Sequence, residues 1–464
     1  MYLSDDFLLH STSARRLFHE YAAEAPIYDY HCHLSPAAIA DDAGFENISR
    51  IWLGGDHYKW RAMRANGVDE RFITGGASDE EKFSAWAATM PYLIRNPLFD
   101  WAHLELKRYF GIAELLTPQS ASRIYAACNE RIAEKTFTVQ SLLGKMGVKV
   151  VCTTDDPLDD LAAHERLKTQ KTGLAMRPTF RPDKTMALDD LAAWNAYIDR
   201  LAQVSKIAIV SFDDLLSAID ARHAYFHNHG CRCSDHAFER LPLELPTAAE
   251  CALIFAKARE GAAPGGADVA RFRAGMLVEL CRMNHRRGWV QQLHFGIIRN
   301  IRSRTFAALG PDSGVDCIGD QTAAWSLARL LDALDKSGQL ARTILINGNP
   351  GDNELIACMA QAFQDGSFPG KMQIGPAWWF LDQKDGMSRQ MEALSGLGLL
   401  ARFIGMTTDS RSFLSFPRHE YFRRLLCNLL GDEMERGDAP DDVEVIGPLV
   451  RGICCGNAKV YFGF

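Results

Sequence analysis

Two histidines one residue apart, His31 and His33, close the apolar and aromatic stretch Ile27-Tyr28-Asp29-Tyr30. On a strand, side chains alternate between faces, so both imidazoles point the same way. Two neutral imidazoles at a strand end can reach one divalent cation, and the remaining ligands must come from elsewhere in the chain. Suitable groups follow other apolar or β-branched runs. Asp155-Asp156, Arg177 with Arg181, Ser234-Asp235-His236, His294, Asn347 to Asn353, Trp378-Trp379 and Asp409-Ser410-Arg411 all stand at such places. Imidazoles and carboxylates suit a metal site. Arginine, always charged and fork-shaped, suits an anionic ligand.

These residues share a position because of the elements that carry them. The stretches 27–33, 148–154, 176–182, 230–235, 289–296, 343–347, 372–375 and 402–408 read as strands. Helical spacing fills the intervals, including 5–25, 188–201, 212–228, 244–287 and the segment from 417 onward. Eight strands alternating with helices predict an α/β fold, a closed (β/α)8 barrel of TIM type, with an open doubly wound sheet as runner-up. Catalytic groups of such barrels sit at the carboxyl ends of the strands. Residues 36–146, rich in helical spacing and Gly or Pro breaks, read as an insertion after the first strand. The whole of 1–464 then forms a single barrel domain with extra C-terminal helices. No Gly-rich phosphate loop stands at a strand–helix junction, so no nucleotide or organic cofactor is expected.

Composition narrows the class. With 51 basic and 58 acidic residues the net charge is −7, which offers no field for nucleic acid or an anionic membrane surface. No apolar stretch approaches the roughly 20 residues that span a bilayer, and the first residues lack the pattern of a signal peptide. Twelve scattered cysteines fit reduced thiols and a cytoplasmic protein. His223, His227, His229, Cys231, Cys233 and His236 form a dense cluster, but their spacing matches no closed zinc motif. A homo-oligomer stays open.

His-x-His on the first strand with Asp on the last resembles the amidohydrolase superfamily. The likeness is closer to one family within it. Tyr28-Asp29-Tyr30-His31-Cys32-His33-Leu34, Thr153-Thr154-Asp155-Asp156-Pro157, Gly230-Cys231-Arg232-Cys233-Ser234-Asp235-His236 and the long run Met406 to Phe422 resemble the uronate (glucuronate) isomerases, from about residue 5 to the end. The resemblance implies interconversion of D-glucuronate with D-fructuronate and of D-galacturonate with D-tagaturonate. It implies His31, His33 and Asp409 as ligands of one divalent metal, His57 and Tyr58 as a catalytic pair, and Arg177 and Arg411 as substrate-binding arginines. It also implies a tryptophan of Trp378-Trp379 in the site, and His294 resembles the superfamily's fifth-strand ligand or a substrate contact.

The chemistry is consistent with those residue types. Moving a carbonyl from C1 to C2 removes a proton from C2 and returns one at C1 through a cis-enediol. The enediolate needs a cation or hydrogen-bond donors, and the proton needs a base within reach. Tyr58, with His57 beside it to accept or relay its proton, can be that base, provided its phenolate is favoured. Asp409 can bind the metal and shuttle a proton during ring opening. Two imidazoles and a carboxylate suit Zn²⁺ best, with Mn²⁺, Fe²⁺ and Co²⁺ chemically acceptable. The alternative is a mononuclear metal-dependent hydrolase on the same barrel. A dinuclear site is disfavoured, since the fourth strand lacks a lysine and the sixth a histidine at its end.

Overall fold

The computed structural model describes residues 2–239, 244–320 and 324–464. Seven parallel strands form one curled sheet in chain order: β1 (Ile27–Asp29), β2 (Val148–Asp155), β3 (Ala175–Phe180), β4 (Cys233–Ala237), β5 (Val290–Phe295), β6 (Arg342–Asn347) and β7 (Met372–Ile374). Helices separate them, as the βα reading predicts, and the barrel fold is borne out. All six residues of β5 are buried, which is the pattern of a parallel sheet covered on both faces. Polar side chains also point inside; Gln291 donates to Thr343 Oγ1 at 2.9 Å. The two prolines at 178 and 182 do not exclude β3. It pairs with β2 from Ala175 to Phe180 but meets β4 at one register position only, Phe180 opposite Ser234, so one side of the strand at Pro178 is free of a ladder.

The expected eighth strand needs correction. Residues 403–410 run between the ends of the sheet but form no regular ladder. Side chains replace it. The buried Asp29 carboxylate accepts from the Thr408 N–H at 2.9 Å and from the hydroxyls of Thr407 and Thr408. Thr407 Oγ1 accepts from the His31 N–H at 3.0 Å, and Tyr30 Oη donates to Gly405 O at 2.8 Å. Further along, Asp409 N–H reaches His31 O at 3.1 Å and His33 N–H reaches Ser410 O at 3.0 Å. Gly405 has φ +75°, and a Cβ there would lie 2.3 Å from Ile453 O, so only glycine fits. The run 402–408 therefore leaves a 3-10 turn at Arg402, bends at Gly405 and makes no strand.

Between β1 and β2 the chain builds helices, among them His57–Ala65, which is capped by Asp56 accepting from the N–H groups of Tyr58 and Lys59. After β5 an antiparallel pair, Ile297–Ile298 with Cys317–Ile318, was not anticipated from sequence; its loop overhangs the strand ends. The long helix Pro417–Arg436, first of the helices after the closing segment, packs against the N-terminal helix Thr12–Arg16. At the opposite end, Phe462 stacks on Tyr30 and Phe464 on Tyr28. No helix among the described residues is long and apolar enough to cross a membrane. None of the twelve cysteines is in a disulfide.

Asp29→Ala should orphan two buried donors at the seam, the Thr408 N–H and hydroxyl, while the Thr407 hydroxyl keeps His31 O as acceptor. The expected loss is about 3 kcal/mol of unfolding free energy, read by chemical denaturation.

Candidate active site

The closing segment delivers Asp409 to the histidine pair. Its Oδ1 lies 3.2 Å from His31 Nε2 and 3.1 Å from His33 Nε2, while Trp378 Nε1 donates to its Oδ2 at 2.6 Å. Asp409 takes a left-handed backbone, φ +45°, as does Trp379 at +44°. Non-glycine residues occupy that region at a cost, which is common where function fixes a side chain. Burial alone would raise the Asp409 carboxyl, but the facing imidazoles of His31 and His33 hold it well below its usual range. Burial opposes charge on His31 as well, yet Asp235 and Asp409 raise it to about 9. Burial lowers His33, against the opposing pull of Asp409; the three ligand atoms lie within 4.8 Å of one another. This set fits one divalent metal.

A second layer supports the first. His294, at the end of β5, has Nδ1 2.7 Å from Asp235 Oδ1 at β4, and its ring lies 5.0 Å from that of His31 and 4.8 Å from Trp378. His31, Asp235 and His294 are also close enough to share a cation. However, Arg181 Nη1 already lies 3.0 Å from Asp235 Oδ2, so that place holds a guanidinium.

The insertion supplies the facing wall. Tyr58 and His57 line a cavity of about 390 Å³ together with Asp409, Arg411, Arg418 and Trp101. His57 stacks flat on Tyr58, ring centres 5.0 Å apart and planes at 20°, and packs against Trp379 at 5.1 Å. That stacking corrects the relay expected from sequence: the Tyr58 hydroxyl donates to Asp382 Oδ2 at 3.0 Å, not to His57. Burial, then Asp382, pushes the Tyr58 phenol well above its ordinary value, opposite to the direction a phenolate needs. Burial lowers His57. Arg411 stands at the cavity with its Nη2 2.9 Å from Asp312 Oδ2, and Arg299, also bound to Asp312, lies over the Trp379 ring at 4.6 Å.

Arg177 is not brought to this site. It lies mid-strand opposite Cys152, donates to Gly230 O at 3.1 Å ahead of β4, and covers Phe464 at 5.5 Å. At roughly 3.3 Å per strand residue, it is a full turn of pleats short of the carboxyl end that Arg181 reaches. The His/Cys cluster also disperses. His223 stacks on Trp289 at 3.6 Å, His227 accepts from the Trp289 indole, and no metal-like grouping of them occurs among the described residues. Asp382, Arg418, Asp312 and Arg299 were given no role from sequence. Asp382 follows Trp378-Trp379 by a few residues, where only the aromatics drew notice.

The parallel α/β barrel gathers a histidine pair and a distal aspartate beyond its strand ends, close enough to share one cation, and so defines an enzyme-like barrel with a candidate metal centre. The sequence model of the glucuronate isomerase family matches residues 1–462, and the chain belongs to that family. A uronate isomerase of Opitutus terrae is 53% identical, over 99% of this chain and 97% of its own length. One of Cellvibrio japonicus is 51% identical, over 100% and 99%. The crystal structure of a uronate isomerase from Thermotoga maritima superposes with a TM-score of 0.93 at 33% identity, covering 100% of both chains. The isomerase reading of the sequence is borne out.

Arg177→Met should leave kcat/KM within about twofold, whereas Arg181→Met, which strips Asp235 of its cation, should lower it by at least about 100-fold. Steady-state kinetics on the two purified variants checks both.

Proposed function

We propose that the chain interconverts aldohexuronates and ketohexuronates, D-glucuronate with D-fructuronate and D-galacturonate with D-tagaturonate, by proton transfer through a cis-enediol. The observation that carries this reading is the meeting of Tyr58, Asp409 and Arg411 on one cavity. A proton carrier, an ionised carboxylate and a cation for an acidic substrate are the groups such a reaction needs. His31, His33 and Asp409 would hold one divalent ion, Zn²⁺ by ligand type. Bound there, the ion supplies positive charge against the oxygen anions of the open-chain sugar.

The protein groups divide the remaining work. Tyr58 moves the proton between C2 and C1, with its ring held by the His57 stack. Asp409, kept ionised by its imidazole neighbours, accepts the hydroxyl proton whose loss opens the sugar ring. Arg411, its side chain 39% exposed and paired among the described residues with Asp312, binds the substrate carboxylate by exchanging that partner. Trp378, Trp379 and His294 line the small cleft behind Asp409 and close the site on that side. The free thiols suit a cytoplasmic enzyme.

The test is NMR of the protein with D-glucuronate in D₂O, metal supplied. A ketose product is expected, and its absence would refute the reading. Tyr58→Phe should lower kcat by about 100-fold or more with the fold intact. Chelation should abolish turnover and Zn²⁺ restore it.

A further inference from the structure

The Tyr58 hydroxyl faces a chemical difficulty. A phenol in a buried site next to a carboxylate does not ionise at neutral pH, so it cannot wait as a phenolate for the substrate. His57, stacked face to face, offers no acceptor to its proton.

The geometry points to Asp382 as the residue that positions Tyr58 and stores its proton, so that the base of the reaction is a Tyr58–Asp382 pair. One carboxylate oxygen, Asp382 Oδ2, takes both the Tyr58 hydroxyl at 3.0 Å and Arg418 Nη2 at 2.5 Å. Arg418 is itself immobilised. Its Nη1 donates to Thr408 O at 2.8 Å, and its guanidinium lies over the Trp101 ring at 4.3 Å. The side chains of Asp382 and Arg418 are 5% and 6% exposed, so water does not compete for either. Thr408 immediately precedes Asp409, and Asp382 shares a small cleft with Asp409, His31, His294 and Trp378. The pair thus sits against the proposed metal set without touching it.

The step balances without any outside reagent. As the Tyr58 oxygen takes the proton from C2, its own hydroxyl proton passes to Asp382 Oδ2. The C2–H electron pair becomes the C1–C2 double bond, the C1=O pair moves onto O1, and the O2 hydroxyl proton passes to the adjacent cis oxygen O1, so that the enediol stage carries its one negative charge on O2. On the return, the O2 pair forms the C2=O bond, the double-bond pair takes the proton from Tyr58 at C1, O1 keeps the proton it received, and Asp382 gives its proton back to the Tyr58 oxygen. Tyr58 never stands as a free phenolate. Burial raises Asp382 to about 6 against the opposing pull of Arg418, close enough to neutral for a carboxylate to take and return a proton at pH 7. Arg418 keeps it ionised between turnovers. The groups facing Asp382 are Tyr58 from the insertion, Arg418 from the helix Pro417–Arg436, and Asp409, His31 and His294 across the cleft.

The inference rests on Tyr58 being the proton carrier, and a double-mutant cycle separates the two. Asp382→Asn keeps the shape and a hydrogen-bond acceptor but has no site for a proton. It should lower kcat by about 100-fold or more, with KM within about twofold and metal content unchanged. Adding Tyr58→Phe to it should cost little more than the worse single variant, because groups acting as a unit are not additive. Independent, multiplying losses would overturn the pairing, since a merely structural Asp382 gives that result. A full-rate Asp382→Asn would overturn it too, leaving Tyr58 as carrier if Tyr58→Phe is impaired. A full-rate Tyr58→Phe would instead refute the carrier role itself. Should Asp382→Asn fold poorly, Asp382→Glu decides: its carboxylate should keep kcat within about tenfold of the parent, and loss to the Tyr58→Phe level overturns the pairing.

Discussion

The site depends on one buried carboxylate that touches no substrate. Asp29 joins β1 to residues nearly the whole chain away, accepting from Thr407 and Thr408. A buried carboxylate without donors is costly, and three donors from one short segment satisfy it only if that segment lies against the strand. Burial raises the Asp29 carboxyl, and the threonine hydrogen bonds pull the other way. The seam therefore forms in one register. That register sets Asp409 opposite His31 and His33, and Arg411 two residues on at the cavity.

Charge in the site follows a single pattern: each cation has an acidic partner before substrate arrives. Arg181 has Asp235, Arg418 has Asp382, Arg411 and Arg299 share Asp312, and Lys59 has Asp56. Buried pairs of this kind contribute little net stability, but they fix positions and leave no lone charge. The exposed pair, Arg411 with Asp312, is the easiest to exchange for a ligand carboxylate. The deeply buried pairs hold Tyr58 and His294 in place.

What could be read from the residues was whatever repeats or clusters locally. The alternation of β-branched runs with helical spacing gave the barrel. The His31/His33 pair announced itself by spacing, and Asp409 by a long specific segment. What could not be read was which atom meets which across the chain. Arg177 and Arg181 differ by two strand repeats and point to the same side, and only the register of β3 against β2 and β4 shows which reaches the strand ends. His57 beside Tyr58 suggested a relay; helix geometry stacks the two rings and turns the hydroxyl toward Asp382. The eighth strand misled because extended, β-branched sequence does not reveal whether its backbone or its side chains make the bonds.

The indole of Trp378 on the outer oxygen of Asp409 has a consequence for metal supply. That oxygen is engaged, so the carboxylate can offer an ion only one atom. Two imidazoles and a single oxygen make a three-point grip, looser than the four-ligand cages that retain structural zinc through purification. An ion bound at the proposed site would meet two imidazole nitrogens and one carboxylate oxygen, a donor set that several divalent metals accept.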